Sequence, residues 1–149
     1  MSIVITPKYS WCVITAVGMS FQLLLTGGAV GAARKKYTIP YPDMGNGRFA
    51  AKLTDEEWTE FNNIQRTHQN YVEQISTAQS LVLLGGLYFP EISATLGAIY
   101  IFGRVLYTEG YKRVGSKGRI YGVIPIDLSL LGLVGVTLFG AAKTLKLIK

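Results

Sequence analysis

The sequence predicts an all-α integral membrane protein, an up-down bundle of four transmembrane helices that forms a single domain over residues 1–149. Its mean hydropathy is positive, at +0.29, which is unusual for a soluble domain. Four apolar segments, about 9–33, 58–89, 92–111 and 121–147, are each long enough to span a bilayer. The loops between these segments differ in charge, and this difference gives the bundle an orientation.

The first segment, 9–33, contains no charged residue. It is rich in small residues, which let helix backbones approach closely in membranes, so we expect it to pack against its neighbours. These are Gly18, Gly27, Gly28 and Gly31. The chain start lacks the pattern of a cleaved signal peptide, so this segment is expected in the mature protein. Cys12 is the single cysteine, which excludes an internal disulfide and predicts a packed, inert thiol.

The other three segments have recognisable ends. The second helix is expected to begin near 55–58, with Thr54 as its N-cap. Pro90 ends it, and the third segment follows at once, so these two segments should form an antiparallel hairpin. In the fourth segment Pro125 is expected near the first turn and Asp127 close behind it, at the positive end of the helix and in a structural role.

The basic residues predict which loops are cytoplasmic. Nine Lys and Arg residues lie in the two loops after the first and third segments, whereas four lie on the opposite face. By the positive-inside rule the two long loops are cytoplasmic and both termini lie on the other side. The first loop, 36–54, is rich in Pro, Gly, Asp and Asn and is predicted to be irregular surface chain.

A dense polar run, residues 62–73, leads directly into the second apolar segment. On a helix Arg66, Asn70 and Glu73 share one face, and Thr77 continues the line. A charged stripe that enters hydrocarbon is expensive unless it faces a bundle interior or a watery cavity. Two interpretations follow: a polar ligand site between helices, or a solvated helix end with ordinary interfacial charges.

The third segment has a similar polar stripe, formed by Arg104, Tyr107 and Tyr111. Arg104 lies too deep to reach the surface easily, so it should meet an acid or a ligand inside the bundle. Both stripes run toward the cytoplasmic helix ends and can therefore converge. A pocket of cations, phenols, an amide and a carboxylate would suit a small zwitterionic ligand with several carboxylates.

Common catalytic and binding motifs are absent from the sequence. His68 is the only histidine and has no cysteine or second ligand beside it, so it is expected to be a polar helix residue and no metal site is predicted. There is no Gly-rich phosphate loop, GxSxG elbow or HExxH pattern. The net charge of +6 suits an anionic partner, but the basic loops lack the interleaved aromatic residues of a nucleic-acid platform.

Two segments resemble the signature segments of the membrane-associated eicosanoid and glutathione metabolism (MAPEG) family: residues 63–70 with Glu73, and residues 103–111. Residues 33–37 and 40–42 in and before the first loop are also similar to that family. The resemblance extends over nearly the whole chain. The most similar branch is that of the microsomal glutathione S-transferases of type three.

The resemblance implies a homotrimer of four-helix protomers that binds glutathione between neighbouring subunits near the cytoplasmic surface. The implied glutathione-binding residues are Arg34, Lys35, Arg66, His68, Asn70, Glu73, Arg104, Tyr107 and Tyr111. The implied stabiliser of the glutathione thiolate is Arg119, with Lys117 as the alternative. Glutathione is the implied co-substrate.

The implied activity is glutathione transfer to a hydrophobic electrophile from the membrane lipid, or reduction of a lipid hydroperoxide. The alternative is a non-catalytic scaffold that binds lipid or glutathione. Gln74 and Leu106 depart from the leukotriene C synthase branch, which has a tyrosine and an arginine there, and the loop 44–60 is longer than expected. The expected location is the endoplasmic reticulum, or the mitochondrial outer membrane, with the active site facing the cytosol.

Overall fold

The structure, a computed structural model, describes residues 5–148, and within that range its regular secondary structure is entirely helical. The α-helices are α1 (Ser10–Tyr37), α2 (Asp55–Gly86), α3 (Pro90–Val114) and α4 (Ile120–Thr144). Short 3-10 turns are found at Pro7–Tyr9, Ala50–Lys52 and Gly115–Arg119. Lys149, one of the four basic residues counted on the face opposite the long loops, lies outside the described residues.

Consecutive helices pack antiparallel. Tyr71 Oη of α2 donates to the carbonyl of Met19, and Gln79 Nε2, two turns further along α2, donates to the earlier carbonyl of Ala16. The predicted all-α class is confirmed. The turn Gly115–Arg119 joins α3 to α4 without an intervening loop.

The number of membrane crossings stays a prediction. Two described stretches, Pro7–Tyr37 and Pro90–Thr144, are long and apolar enough to cross a membrane. The second stretch contains both α3 and α4. α2 is long enough but not apolar enough over such a length, because it contains the polar run 62–73.

Two predicted helix boundaries are confirmed. Thr54 caps α2 in a capping box: the Glu57 amide donates to Thr54 Oγ1 and the Thr54 amide donates to the Glu57 carboxylate. α2 ends at Gly86, and Pro90 is the first residue of α3, where its missing N–H leaves no bond unmade. The second and third helices therefore form the predicted hairpin.

α3 and α4 approach each other closely through facing glycines. A Cβ at Gly122 would collide with the backbone of Gly103 and Tyr107, and one at Gly110 would collide with the backbone of Gly118. In each case the colliding atoms belong to the backbone, which cannot make room by a change of rotamer as a side chain can. This close packing places Tyr107 of α3 directly against α4.

The predicted position of Asp127 at the positive end of its helix is wrong. α4 begins at Ile120 because the 3-10 turn Gly115–Arg119 runs straight into it, and Pro125 is inside the helix. No acidic residue lies in the first turn. Asp127 is the eighth residue of α4, beyond the turn over which the helix dipole acts.

The first loop is more ordered than the predicted irregular surface chain. Ile39 and Ala50 are buried against Ala33 and Phe61 and form a second small core beside the helices. The prediction failed because its Pro, Gly, Asp and Asn content indicates turns but does not reveal which side chains those turns bury.

Asp43 organises this loop. Its carboxylate accepts four backbone N–H groups at 2.9 Å, those of Gly45, Gly47, Phe49 and Ala50. Because these bonds favour the charged form, the pKa of Asp43 falls to about 2. The carboxylate thus replaces the partners that a helix or sheet would supply to these amides.

Candidate functional site

A cavity of about 290 Å³, here called the α4 pocket, lies where α2, α3 and α4 meet. Four of its lining residues lie on α4 and a fifth, Arg119, is the N-cap residue just before that helix; two are one turn apart on α2, and one comes from α3. The lining residues are Asn70, Gln74, Tyr107, Arg119, Ile120, Val123, Ile126 and Asp127. The pocket therefore unites polar groups from the polar run, from the second signature segment and from the start of α4.

Arg104 lies behind the pocket wall and is 1% exposed. Its Nη1 donates to Asn70 Oδ1 at 2.7 Å, and its Nη2 donates to Gln74 Oε1 at 2.6 Å. Among the described residues no carboxylate forms an ion pair with Arg104, so of the two predicted partners the acid is not found and the ligand stays a prediction. Neutral amides one turn apart on α2 reach the guanidinium instead.

Aromatic rings hold the Arg104 guanidinium in place. Its Cζ lies 4.6 Å from the ring centre of Tyr71, 5.1 Å from that of Tyr100 and 5.6 Å from that of Tyr107. Tyr100 Oη also accepts from Nε at 3.0 Å and from Nη2 at 2.9 Å. Tyr71 and Tyr100 were not predicted as site residues. Tyr100 could have been found, because it lies one helical turn before Arg104.

Arg104 sets the direction of the two pocket amides. Because the Asn70 and Gln74 side-chain oxygens accept from it, the amide nitrogens are the ends that can donate elsewhere. The wall of α2 therefore presents hydrogen-bond donors to the α4 pocket.

Two cationic side chains lie near Tyr107. The Arg104 Cζ is 5.6 Å from its ring centre, and Arg119 lines the same pocket. Arg66 and Glu73 are exposed, and Arg66 Nη1 lies 3.3 Å from Glu73 Oε1. Because this contact runs along α2 past Asn70, the three side chains share one face of the helix, as predicted. Of the three, only Asn70 lines the pocket.

Three of the predicted site residues, Asn70, Tyr107 and Arg119, line the α4 pocket together. Arg104 lies behind the pocket, where it donates hydrogen bonds to Asn70 and Gln74 and lies against the ring of Tyr107. Tyr111 is buried, with its ring 5.3 Å from that of Tyr107, but does not line the pocket.

The remaining predicted residues lie elsewhere in the single chain. His68 faces α1, with Nδ1 3.0 Å from Thr26 Oγ1. Arg34, in the last turn of α1, is buried against the first loop, where its Nη1 donates to the Asp43 carbonyl at 2.6 Å. Lys35 and Lys117 are exposed and do not line the pocket. Their assignment to glutathione stays a prediction.

Two pocket residues, Gln74 and Asp127, were missed as site residues. Gln74 lies one turn after Asn70 on α2, so helical spacing alone could have added it. Asp127 follows Arg119 by eight residues, which places it about 80° further round the helix and still on the side that borders the pocket. Its prediction as a helix-end residue concealed this relation.

A larger cleft, about 650 Å³, is a poorer site for an anionic ligand. It is lined mainly by acidic and polar residues at the start of α2. These residues are Asp55, Glu56, Thr59, Glu60, Asn63, Ile64 and Lys112. Its three carboxylates against one lysine would repel a ligand with several carboxylates.

The sequence matches the MAPEG family over residues 11–139, a range that contains the whole α4 pocket. The chain belongs to the MAPEG family. The family predicted from the two signature segments is therefore confirmed.

Relatives of this MAPEG protein include two proteins named microsomal glutathione S-transferase 2. The human one is 35% identical over 113 residues, which cover 75% of this chain and 67% of the relative. The Bos taurus one is 33% identical over 113 residues, with 72% and 69% covered. An uncharacterized protein of Synechocystis sp., sll1147, is 30% identical over 127 residues, with 84% and 83% covered. The named relatives are of type two, and the predicted type-three branch stays a prediction.

Proposed function

We propose that this MAPEG protein is a membrane-bound glutathione transferase that joins the glutathione sulfur to apolar electrophiles arriving through the bilayer. The observation that carries the proposal is the α4 pocket, in which Arg119 and Tyr107 meet the donor groups of Asn70 and Gln74. Two relatives named microsomal glutathione S-transferase 2 support the same activity.

The charges of the pocket suit the proposed co-substrate. Glutathione carries two carboxylates, one ammonium and one thiol, so it needs several donors and cations and a smaller number of acceptors. The amide nitrogens of Asn70 and Gln74 and the guanidinium of Arg119 are donors. The carboxylate of Glu73, on the same face of α2 as Asn70, would be an acceptor for the ammonium.

The chemical step depends on Arg119 in this proposal. A free thiol has a pKa of about 8.5, so little thiolate exists at neutral pH. A guanidinium beside the sulfur favours the anion and so supplies a nucleophile without a general base. Arg119 lines the pocket and, among the described residues, forms no ion pair that would compete. Lys117 does not line the pocket, which favours Arg119 of the two predicted cations.

The thiolate would attack the electrophilic carbon, form the C–S bond and expel the leaving group with its bonding electron pair. The same thiolate could reduce a lipid hydroperoxide. The sulfur would then take the outer oxygen, the O–O bond would break and the alkoxide would gain a proton to leave as an alcohol. A second glutathione would convert the sulfenic acid to the disulfide and water.

A homotrimer is part of the proposal, because one chain offers an incomplete site. The α4 pocket, about 290 Å³, is at the lower limit of ligand pockets, which hold about 300–1,000 Å³. Arg66 and Glu73 lie on an exposed face of α2, so a neighbouring copy could enclose both them and the ligand. Cyclic symmetry would repeat that contact in each subunit. The trimer is tested by the mass of the detergent-solubilised assembly.

The proposed location is an internal membrane, the endoplasmic reticulum or the mitochondrial outer membrane, with the pocket near the cytosolic side. The excess of Lys and Arg in the two long loops supports this orientation. The electrophile would enter from the lipid and glutathione from the cytosol.

Turnover of a generic electrophile and of a lipid hydroperoxide by the purified protein tests the function. Arg119→Ala is expected to lower kcat by about a hundredfold, as loss of a charge-stabilising group does in other enzymes. Lys117→Ala is the matched control and should retain turnover. Arg66→Ala and Asn70→Ala should mainly weaken glutathione binding.

Three outcomes would change the proposal. Full turnover in Arg119→Ala with loss in Lys117→Ala would transfer the thiolate role to Lys117. Absence of both turnover and a glutathione-dependent thermal shift would refute glutathione chemistry. Glutathione binding without any turnover would favour the alternative of a non-catalytic scaffold.

A further inference from the structure

The α4 pocket contains a carboxylate, that of Asp127, which the proposed transfer does not use. Asp127 is in the third turn of an otherwise apolar helix, too far from the helix start for the dipole to stabilise it. It forms no ion pair with any described residue. An ionisable group inside a membrane helix is expensive, and such groups usually serve a ligand path or site.

Because of Asp127, the two ends of the pocket carry opposite charges. Arg119 and Asp127 are eight residues apart on the side of α4 that borders the pocket, a rise of about 12 Å. Ile120, Val123 and Ile126 form the apolar surface between them. A molecule lying along this side meets a cation at one end, then aliphatic side chains, then an anion.

Asp127 also differs in hydrogen bonding from the rest of the lining. The amide nitrogens of Asn70 and Gln74 are donors, because Arg104 occupies their oxygens, and Arg119 can only donate. An ionised carboxylate can only accept. Asp127 therefore offers the pocket an acceptor and a negative charge, whereas the two amides and Arg119 offer donors and the Tyr107 hydroxyl can do either.

We propose that Asp127 is a specificity residue that selects the electrophile by charge. It favours electrophiles that carry a positive charge or a hydrogen-bond donor on the side away from the reacting carbon, and it rejects those that carry a carboxylate there. This inference rests on the proposed function, since a thiolate at Arg119 places the far side of the electrophile toward Asp127. Asp127 would choose the substrate without taking part in C–S bond formation.

Matched nitroarenes test the selection. The probes are 4-chloro-3-nitrobenzylammonium, 4-chloro-3-nitrobenzamide and 4-chloro-3-nitrobenzoate, which share one reacting carbon and differ in charge on the opposite side of the ring. Thiolate attack forms the C–S bond and chloride leaves with the bonding pair. The full-length protein in an uncharged detergent is assayed for kcat/KM, and each value is divided by the uncatalysed rate with glutathione.

The wild-type protein is expected to prefer the ammonium over the carboxylate probe by at least about tenfold, given the strength of a charge contact near a protein surface. Asp127→Asn should reduce this preference to within about threefold, while Asp127→Glu, which keeps the charge, should retain it. Glu91→Gln is the control, because it makes the same chemical change on an exposed carboxylate that pairs with Lys8 outside the pocket. An unchanged preference in Asp127→Asn, or none in the wild type, would overturn the inference.

A second measurement separates this inference from the proposed function. Binding of 3-nitrobenzylammonium and 3-nitrobenzoate, which lack the leaving group, is measured by calorimetry without glutathione. A charge preference in binding that Asp127→Asn abolishes, in a protein without turnover, refutes the transferase proposal and assigns to Asp127 the recognition of a charged ligand in place of an electrophile. Turnover with the same charge preference in wild type and Asp127→Asn refutes the role of Asp127 and leaves the transferase proposal standing.

Discussion

Replacement of Arg104 by methionine tests the polar core of the bundle. The guanidinium bonds three side chains, those of Asn70, Gln74 and Tyr100, and a buried polar group without its partner costs about 1–3 kcal/mol. Asn70 and Gln74 border the pocket and can turn to water, so the largest loss falls on buried Tyr100. Methionine keeps most of the apolar contact. We expect a loss of about 3 kcal/mol, or a Tm lower by about 6–12 °C for a chain of this size.

Thermal unfolding in detergent, followed by circular dichroism, measures this change. Arg113→Met is the matched control on the same helix, since its side chain is 79% exposed and lies 3.7 Å from Glu109. An exposed pair of this kind contributes about 0–1 kcal/mol, so the control Tm should hardly move. Equal Tm values for Arg104→Met and the wild type would refute the assignment of Arg104 as the organiser of the polar core. Arg104→Met should also lose the glutathione-dependent thermal shift, because the Asn70 and Gln74 amides are no longer held.

Three further predictions concern the loop around Asp43, the Thr54 cap of α2 and the contact of Gly122 with α3. Asp43→Asn should speed proteolysis within residues 38–54 at neutral pH. In the wild type, protection of the loop from proteolysis should persist down to about pH 4 and fade toward pH 2. The reason is that the pKa of Asp43 is lowered to about 2 from its usual 3.8, so its carboxylate stabilises the loop only while it is ionised. Equal cleavage of the wild type and Asp43→Asn would contradict this. Thr54→Ala should lower stability by about 1 kcal/mol through loss of the capping box, measured as a Tm shift of a few degrees. Gly122→Ala should lower Tm far more than Gly135→Ala, because a Cβ at position 122 meets the α3 backbone whereas one at 135 meets nothing within 4 Å; similar Tm values would contradict the close packing.

The helices could be predicted where a local rule determines them. Thr54 and Glu57 form a capping box by side-chain chemistry alone, and Pro90 can start a helix but cannot continue one. The stripe Arg104–Tyr107–Tyr111 follows from helical spacing and is buried on one face of α3. The family was also predicted from the residues of two short segments, and the match over residues 11–139 confirms it.

The partners of Arg104 could not be predicted in the same way. Its depth in an apolar segment indicated that the charge needed compensation, but the compensating groups come from another helix. Asn70 and Gln74 reach it only because α2 and α3 pack antiparallel at a particular height. Sequence spacing within one helix contains no information about that relative height.

The predictions for Asp127 and for the first loop were wrong for a related reason. The start of α4 depends on the 3-10 turn Gly115–Arg119, in which Gly118 packs against Gly110 of α3. Because of this tertiary contact the helix begins earlier than predicted, and Asp127 lies beside the pocket and not at the helix end. The order of the first loop depends on which amides reach the Asp43 carboxylate, and these come from four residues spread over Gly45–Ala50.

Arg119, which lines the α4 pocket, is proposed to stabilise the glutathione thiolate. The ultraviolet thiolate absorbance of bound glutathione, measured near neutral pH with saturating co-substrate, tests this claim most directly. The wild-type protein and Lys117→Ala are predicted to generate the thiolate band, and Arg119→Ala is predicted to bind glutathione without it. A band of equal amplitude in Arg119→Ala, or no band in the wild type at saturation, would contradict the claim.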